Sequence, residues 1–445
     1  MSFSRYLLVL VLIGFALRIV AAFWSFGFRE NTDVLRYRDW ARIAYLHNFA
    51  DTYKPDYLSF GTLINNQPPG SLYIISGMYN INILVAKIIL RTTGQQPEIL
   101  QLISGPLLNF SLRLPSIIAD LLIGFLIFIF VKTKTSEKLA LIASSIFLFN
   151  PVVIYNSSFW GQMDSINNLF LLGAIYCLYK RKIEFVLPLF FLSLYVKFSH
   201  LPLLPVFIIL LLIQSKNNIK KIILSIAYGL SLILLLTIPI SKTPWDWILS
   251  YLSSNSLGEM KNITAFAFNF WWVILKPSIS IGTPTSLFNF SEIRLIGSPQ
   301  DNVVYFGLTL FQWAIAIFTL FILPIVYFII RKREKIIKPD YLLLTFSIST
   351  LLIFLFLPRV HERYIYPVFP LLAAYVGLTK KFLITYVFLS ICSLINLYIV
   401  WHPMIIPLLT YELINNSNLQ WFVSVIILTT GVIFYIKVLR ILSKK

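Results

Sequence analysis

Charge is scarce in this sequence: only 12% of its 445 residues are Asp, Glu, Lys or Arg, about half the share found in water-soluble domains. That scarcity excludes both an ordinary hydrated surface and a disordered chain. Cysteine is rarer still. The two present, Cys177 and Cys392, both fall in apolar runs, so neither a disulfide framework nor thiol chemistry is expected. The four histidines are scattered rather than spaced as metal ligands, and His47 and His402 read as interfacial residues. HExxH, CxxC, Walker A, dinucleotide-binding and nucleophile-elbow patterns are all missing. So are heptads and any strong internal repeat, which weighs against an inverted-repeat transporter.

What is present is apolar. Hydrophobic residues make up 58% of the chain, the mean hydropathy is +0.81, and apolar runs of about 20 residues recur, each long enough for a hydrocarbon core roughly 30 Å thick. The 38 Phe, 23 Tyr and 10 Trp suit lipid-facing surfaces and interfacial belts. A formal net charge of +19 would point to nucleic acid if it formed one exposed face. Instead the basic residues sit in short clusters between apolar runs, as at Lys180, Arg181 and Lys182, from Arg331 to Lys338, and at Lys380 and Lys381. Such clusters mark cytoplasmic loops.

The runs predict an all-α polytopic membrane protein of about 12 (11–13) transmembrane helices, forming a single membrane-embedded domain over residues 1–445. The first run, Leu7 to Phe23, is too long for a signal h-region and reads as a retained helix. Residues 29–113 form a large outer loop in which Tyr37 to Phe49 and Ser71 to Ile89 are apolar enough for interfacial helices, the second long enough for a full span. Crossings follow at Leu114 to Val131, Leu139 to Ser157 and Ser165 to Tyr179. Two shorter passes, Phe185 to Phe198 and Leu201 to Ile213, are broken by Lys197, Ser199, His200 and Pro202. Ile222 to Ile240 leads to a second outer loop, 241–302, with a partly buried hairpin expected at Phe266 to Leu275. Five more crossings complete the chain: Val303 to Ile330, Tyr341 to Leu357, Tyr364 to Leu378, Phe382 to Trp401 and Trp421 to Tyr435. This parity puts both termini in the cytoplasm of a plasma-membrane protein, in agreement with the basic loops.

The same parity collects polar residues on the outer side, where ionisable groups near hydrocarbon must pair or face a cavity. Asp33, Arg36 and Asp39 follow the first helix. Asn66-Gln67-Pro68-Pro69-Gly70 is a stiff turn entering a helix, with proline tolerated at its start. Asp120 lies mid-span and is protonated, paired or cavity-facing. Trp160-Gly161-Gln162-Met163-Asp164 sets an indole, an amide and an acid around a glycine that lets the turn lie close to something, although Asp164 also suits a helix start. Lys197 and His200 interrupt apolar sequence where a cation could meet a lipid phosphate. Around His361, Glu362, Arg363 and Tyr364 two readings stand: bidentate phosphate contact by arginine, or an internal network with Glu362 and Asp120 or Asp164.

Taken in order, Asp33, the Pro68-Pro69 pair, Leu114-Pro115 through Asp120, Trp160-Gly161-Gln162 with Asp164, Lys197, and His361-Glu362-Arg363-Tyr364 with Pro367 resemble the C-type (GT-C) superfamily of membrane glycosyltransferases. The likeness is to the mannosyltransferase-like branch related to the second mannosyltransferase of GPI-anchor synthesis, over most of residues 1–380. The resemblance implies a GT-C-like bundle with an external active site. It implies inverting transfer of mannose or another hexose from a polyprenyl-phosphate carrier to a lipid-linked, glycan or protein acceptor. Aminoarabinose-type transfer to lipid A is the alternative enzyme, and a transporter or flippase for lipid-linked sugars the alternative class. By carry-over Asp33 is the catalytic base, with Asp39 and Asp164 as further candidates. Lys197, Arg363 and His361 bind the donor phosphate, and Arg36, Gln67, Asp120, Trp160, Gln162, His200, Glu362 and Tyr364 line or support the cavity. Asn31 stands where the family often has a second acid, so the pair that would bridge a divalent metal is incomplete and no cofactor is expected. A nucleotide-sugar donor is not expected either, because no Rossmann-like domain or long inner loop is present to hold it.

Overall fold

The structure is a computed structural model and describes residues 5–25, 32–57, 63–94, 105–215, 218–255, 260–282, 293–402 and 407–444. It is that of a polytopic membrane protein of the all-α class, with only three two-stranded sheets among the described residues. Among the described residues eight helices are long and apolar enough to cross a membrane, or nine if the bent pair Glu137–Leu148 and Pro151–Trp160 counts as one span. Prolines open several of them: Pro69, Pro151 and Pro339 begin their helices, where a missing N–H costs nothing. Asn150 and the Thr309–Gln312 capping box satisfy first-turn N–H groups elsewhere.

Pro339–Phe356 is the central helix, with 89% of its apolar window buried. A helix apolar on every side belongs inside a bundle, and its Ser347 and Thr350 hydroxyls are returned to the carbonyls of Leu343 (2.7 Å) and Phe346 (2.9 Å). By contrast Ile219–Thr237 and Leu310–Arg331 are each 17% buried over the same window and present apolar side chains outward.

Every segment read from sequence as a crossing contains a helix, but the one expected from Val303 begins only at Leu310, after a short antiparallel hairpin of Val304–Tyr305 with Leu308–Thr309, and four others are short. Asp164–Tyr179 rises about 24 Å, and Val186–Val196, Leu204–Gln214 and Val368–Thr379 are shorter. The shortening has one cause: chain that would have extended them unwinds at Gly161–Met163, at Lys197 and at Val360–Pro367, where it meets a cavity. Irregular backbone at such depth is tolerated only where protein or a wet cavity satisfies it.

Pro69–Thr93 is long enough to cross, yet it lies across one end of the bundle. Its Ser71 hydroxyl reaches the Val196 carbonyl (3.1 Å) beside Lys197, and Asn82 Nδ2 reaches the Ser111 hydroxyl (2.6 Å) beside Arg113. Arg113 packs on Gly161 at that same end. Thr32–Leu46 packs alongside, sharing a core of Val34, Tyr37, Trp40, Leu72 and Ile75. This helix starts five residues earlier than the sequence suggested, so Asp33 sits in its first turn rather than ahead of it. The hairpin expected at Phe266 to Leu275 is instead a short helix, Phe270–Leu275, because the Asn269 side chain caps the N–H groups of Trp271 and Trp272. Just before it, Thr264–Ala265 pairs in parallel with Val360–His361 and ties the second large loop to the cavity.

Candidate active site

Two glycines let the site assemble. Gly161 has φ +81°, and a Cβ there would lie 2.9 Å from Val34 Cγ2 and 3.0 Å from Arg113 Cγ, so only glycine allows the Trp160–Gln162 turn to close on the Thr32–Leu46 helix. The turn is delivered by a π-helical segment, Tyr155–Trp160, beyond a 48° bend; such segments recur at functional sites. At Gly70 a Cβ would lie 2.5 Å from the Tyr195 carbonyl oxygen, so glycine draws the start of the Pro69–Thr93 helix against the chain entering Lys197.

Closure at Gly161 fixes Asp33. Trp160 Nε1 (2.9 Å) and Gln162 Nε2 (2.7 Å) both donate to Asp33 Oδ2, and Arg36 Nη1 lies 3.5 Å from Oδ1. Trp160 is held in turn between Trp401, stacked at 6.1 Å, and the Arg363 guanidinium, 5.4 Å from its ring centre.

Beside Asp33 lies a buried ionic cluster. Lys197 Nζ is 2.6 Å from Asp164 Oδ1, Arg363 Nε is 3.9 Å from Asp164 Oδ2, and Arg363 Nη1 is 2.7 Å from Glu362 Oε1. His361 Nδ1 is 3.8 Å from Glu362 Oε2, and the Tyr364 ring packs against both His361 and the Lys197 ammonium. Burial pushes the Lys197 ammonium down to about 8 although Asp164 pulls the other way. Burial and the Arg363 charge lower His361. Burial alone would raise Glu362, but Arg363 and His361 together outweigh it and hold the carboxyl at about 2.

Asp33 and, from the cluster, Lys197 and His361 to Tyr364 line a cavity of about 850 Å³. Its wall carries the polar side chains of Asp33, Arg36, Gln67, Lys197, His361 and Arg363 together with the apolar ones of Leu201, Pro205, Ile315, Phe318 and Ile353 from three helices. Trp160, Gln162, Glu362 and Tyr364 also line it. Ligand sites commonly have this size and a few convergent polar groups, and the mixed lining suits an amphiphile.

Four sequence candidates lie elsewhere. Asp164 is buried behind Lys197, outside the cavity wall. Asp39 pairs with Arg38 (3.5 Å) and does not reach the wall. His200 is buried against the Ser193 hydroxyl (2.7 Å). Asp120 is fully buried on Arg18 Nε (2.9 Å), with the Ser157 and Tyr366 hydroxyls donating to it. The internal network around Arg363 therefore uses Glu362 and Asp164, and Asp120 belongs to a separate one. Asn31 falls outside the described residues. Among the described residues, no group of three or more His, Cys, Asp and Glu side chains is placed to hold a metal ion.

Sequence reading did not single out Arg18, Tyr37, Trp401 or the apolar wall. Arg18 had a signal, a charge in the middle of the first apolar run. Tyr37 lines the cavity, where burial and then Asp33 push its hydroxyl far above the ordinary tyrosine range.

No family model matches the chain, and no curated protein does. Among solved structures it is similar to an archaeal oligosaccharyltransferase, AglB from Archaeoglobus fulgidus, in complex with an inhibitory peptide and a dolichol-phosphate. Identity is 12% and the TM-score 0.39, over 94% of this chain and 56% of that one, so this chain spans little more than half the length of that protein.

Proposed function

We propose that this protein is a glycosyltransferase that moves a sugar, mannose or another hexose, from a polyprenyl-phosphate carrier to a lipid-linked, glycan or protein acceptor at the external face of the membrane. One observation carries the reading: a single cavity is lined by a fixed carboxylate, a cation cluster and apolar side chains from three helices. The apolar lining takes the isoprenoid chain, Lys197, Arg363 and His361 face the phosphate, and Asp33 faces the acceptor hydroxyl.

The step balances within this set. Asp33 accepts the acceptor's hydroxyl proton as its oxygen attacks the anomeric carbon from the side opposite the phosphate. The bond from that carbon to the phosphate oxygen breaks, its electron pair leaves with the polyprenyl phosphate, and the anomeric configuration inverts. A phosphate is a competent leaving group, so the departing charge needs cations and fixed dipoles rather than a proton donor. Trp160 and Gln162 hold the carboxylate in place, which avoids reorganisation at the moment of attack.

Purified protein in vesicles, given a polyprenyl-phosphate sugar labelled in the sugar and an extract of cell-envelope lipids and glycans, should move label onto an acceptor with release of polyprenyl phosphate. Label that only changes leaflet, with the carrier bond intact, would instead make the protein a flippase.

A further inference from the structure

The turn ahead of the Pro68-Pro69 pair is fastened through its backbone and leaves its side chains to the cavity. The Asn66 carbonyl accepts from the Tyr251 hydroxyl (2.5 Å) and the Gln67 carbonyl from the Tyr53 hydroxyl (3.0 Å). Gln67 N–H donates to Asn65 Oδ1 (2.9 Å). Behind the turn the Tyr53, Trp247 and Tyr251 rings pack on one another, with centroids 5.2 Å and 4.8 Å apart along that order. In front, the Gly70 contact and the Ser71 hydroxyl on Val196 tie it to the segment that holds Lys197.

The two amides are treated differently. Gln67 Nε2 lies 3.4 Å from Asn66 Oδ1, and among the described residues neither side chain makes another hydrogen bond. Both line the cavity, as do Trp40 and Trp160. A turn needed only for structure is already satisfied by the tyrosine hydroxyls and Asn65. Two amides on a pinned backbone supply N–H donors and carbonyl acceptors at little ordering cost. Each sugar hydroxyl likewise both donates and accepts, and the apolar face of a sugar ring suits an aromatic wall. An anion is not matched by uncharged amides when Lys197 and Arg363 stand in the same cavity.

The geometry points to Asn66 and Gln67 as the residues that read the hydroxyls of a sugar ring in this cavity. The inference rests on the glycosyl-transfer reading and deepens it. The ring belongs to the donor or to a glycan acceptor, and the same experiment separates the two.

Wild type, Asn66→Ala, Gln67→Ala and the double variant are titrated with three probes: farnesyl phosphate, mannosyl farnesyl phosphate and methyl α-mannoside. Tyr53→Phe and Tyr251→Phe, which keep the amides but release the turn, are measured alongside. The double variant should bind farnesyl phosphate within about twofold of wild type. It should lose roughly tenfold in affinity for a sugar-bearing probe, the scale of two neutral hydrogen bonds. A loss confined to mannosyl farnesyl phosphate assigns the amides to the donor sugar, and a loss on methyl α-mannoside assigns them to the acceptor. The tyrosine variants should weaken the same probe by less. Equal affinities for all probes would overturn the assignment, and so would a parallel loss on all of them. If wild type binds no farnesyl phosphate, the glycosyl-transfer reading fails by itself, and the methyl mannoside titration still decides the role of the amides.

Discussion

Lys197 Nζ lies 2.6 Å from Asp164 Oδ1, both side chains almost wholly out of contact with water. The cation assigned to the donor phosphate is thus already paired, and so is Arg363, on Glu362 at 2.7 Å. The cluster is close to neutral by itself. On the proposed reading an arriving phosphate would share these cations with their carboxylates rather than meet bare charge, which would keep the site stable when empty and let the product leave. Removing one partner of a buried pair strands the other. Asp164→Asn should therefore lower the stability of the folded protein by about 3–5 kcal/mol, read as a fall in thermal midpoint in detergent. An Asp164→Asn protein as stable as wild type and inactive would return Asp164 to the chemistry.

The pairing also shapes the pH response. Burial holds the Lys197 ammonium at about 8 in the free protein, and Asp164 opposes that shift. A sugar phosphodiester has no group titrating near that pH. kcat/KM for the donor should fall as pH rises through about 8, because Lys197 then loses its charge and its hold on phosphate; below that pH the charge is in place. Lys197→Arg should remove this alkaline limb, since guanidinium stays protonated, even if the variant is slower overall. A limb unchanged in Lys197→Arg would assign the titration to another group.

The Gly161 turn gives a steric test. Any side chain there meets both a left-handed backbone, at roughly 1–2 kcal/mol, and Val34 at 2.9 Å. Gly161→Ala should push Trp160 and Gln162 off Asp33 and cut kcat by about 10²-fold, the usual result of a 1 Å misplacement. Farnesyl phosphate affinity should change little. Wild-type kcat in the variant would show that the close approach to Val34 is dispensable.

The buried pair of Arg18 and Asp120 is a structural counterpart. Breaking it with Asp120→Asn should destabilise by about 3–5 kcal/mol, whereas the double replacement Arg18→Met with Asp120→Leu, which removes both charges, should recover most of that loss. Thermal melting of the three proteins measures it. A double variant no better than the single one would mean that the Ser157 and Tyr366 hydroxyls, left without their acceptor, dominate the cost.

Much of this site was legible in sequence, for identifiable reasons. Glycine between Trp160 and Gln162 announced a close approach, and the partner proved to be Val34, next to Asp33. The polar break at Lys197 announced unwound backbone, and it lines the cavity. Arg18 was equally visible, and the argument applied to Asp120 applied to it: a charge in an apolar run needs a partner. The two were not joined because 102 positions separate them and nothing local marks the pairing. The apolar lining could not be read at all, since Pro205, Ile315 and Ile353 are ordinary residues of three separate helices. Helix geometry favours Asp33 over Asp39 as the acid that faces the cavity. On one continuous helix six residues turn the side chain by about 240°, which takes Asp39 off the face where Asp33, Arg36, Tyr37 and Trp40 line the cavity, and the extra turn at the start of Thr32–Leu46 was what sequence had missed.

The assignment of Asp33 as general base carries the enzyme reading. Its carboxylate lines the cavity on the first turn of a helix, anchored through Oδ2 by Trp160 and Gln162. Asp33→Asn keeps the size of the side chain and one oxygen for those donors, but an amide cannot take a proton from the attacking hydroxyl. Turnover should fall by about 10² to 10⁴. Donor affinity should change far less, because Lys197, Arg363 and the apolar lining are untouched. Asp39→Asn, on the far side of the helix, should stay close to wild type. Asp164→Asn should lose activity together with thermal stability, whereas Asp33→Asn should lose activity alone, and that contrast separates a base from a structural acid. Folded Asp33→Asn protein with near-wild-type turnover would defeat the assignment, and Glu362, the other carboxylate on the cavity wall among the described residues, would be the next residue to substitute.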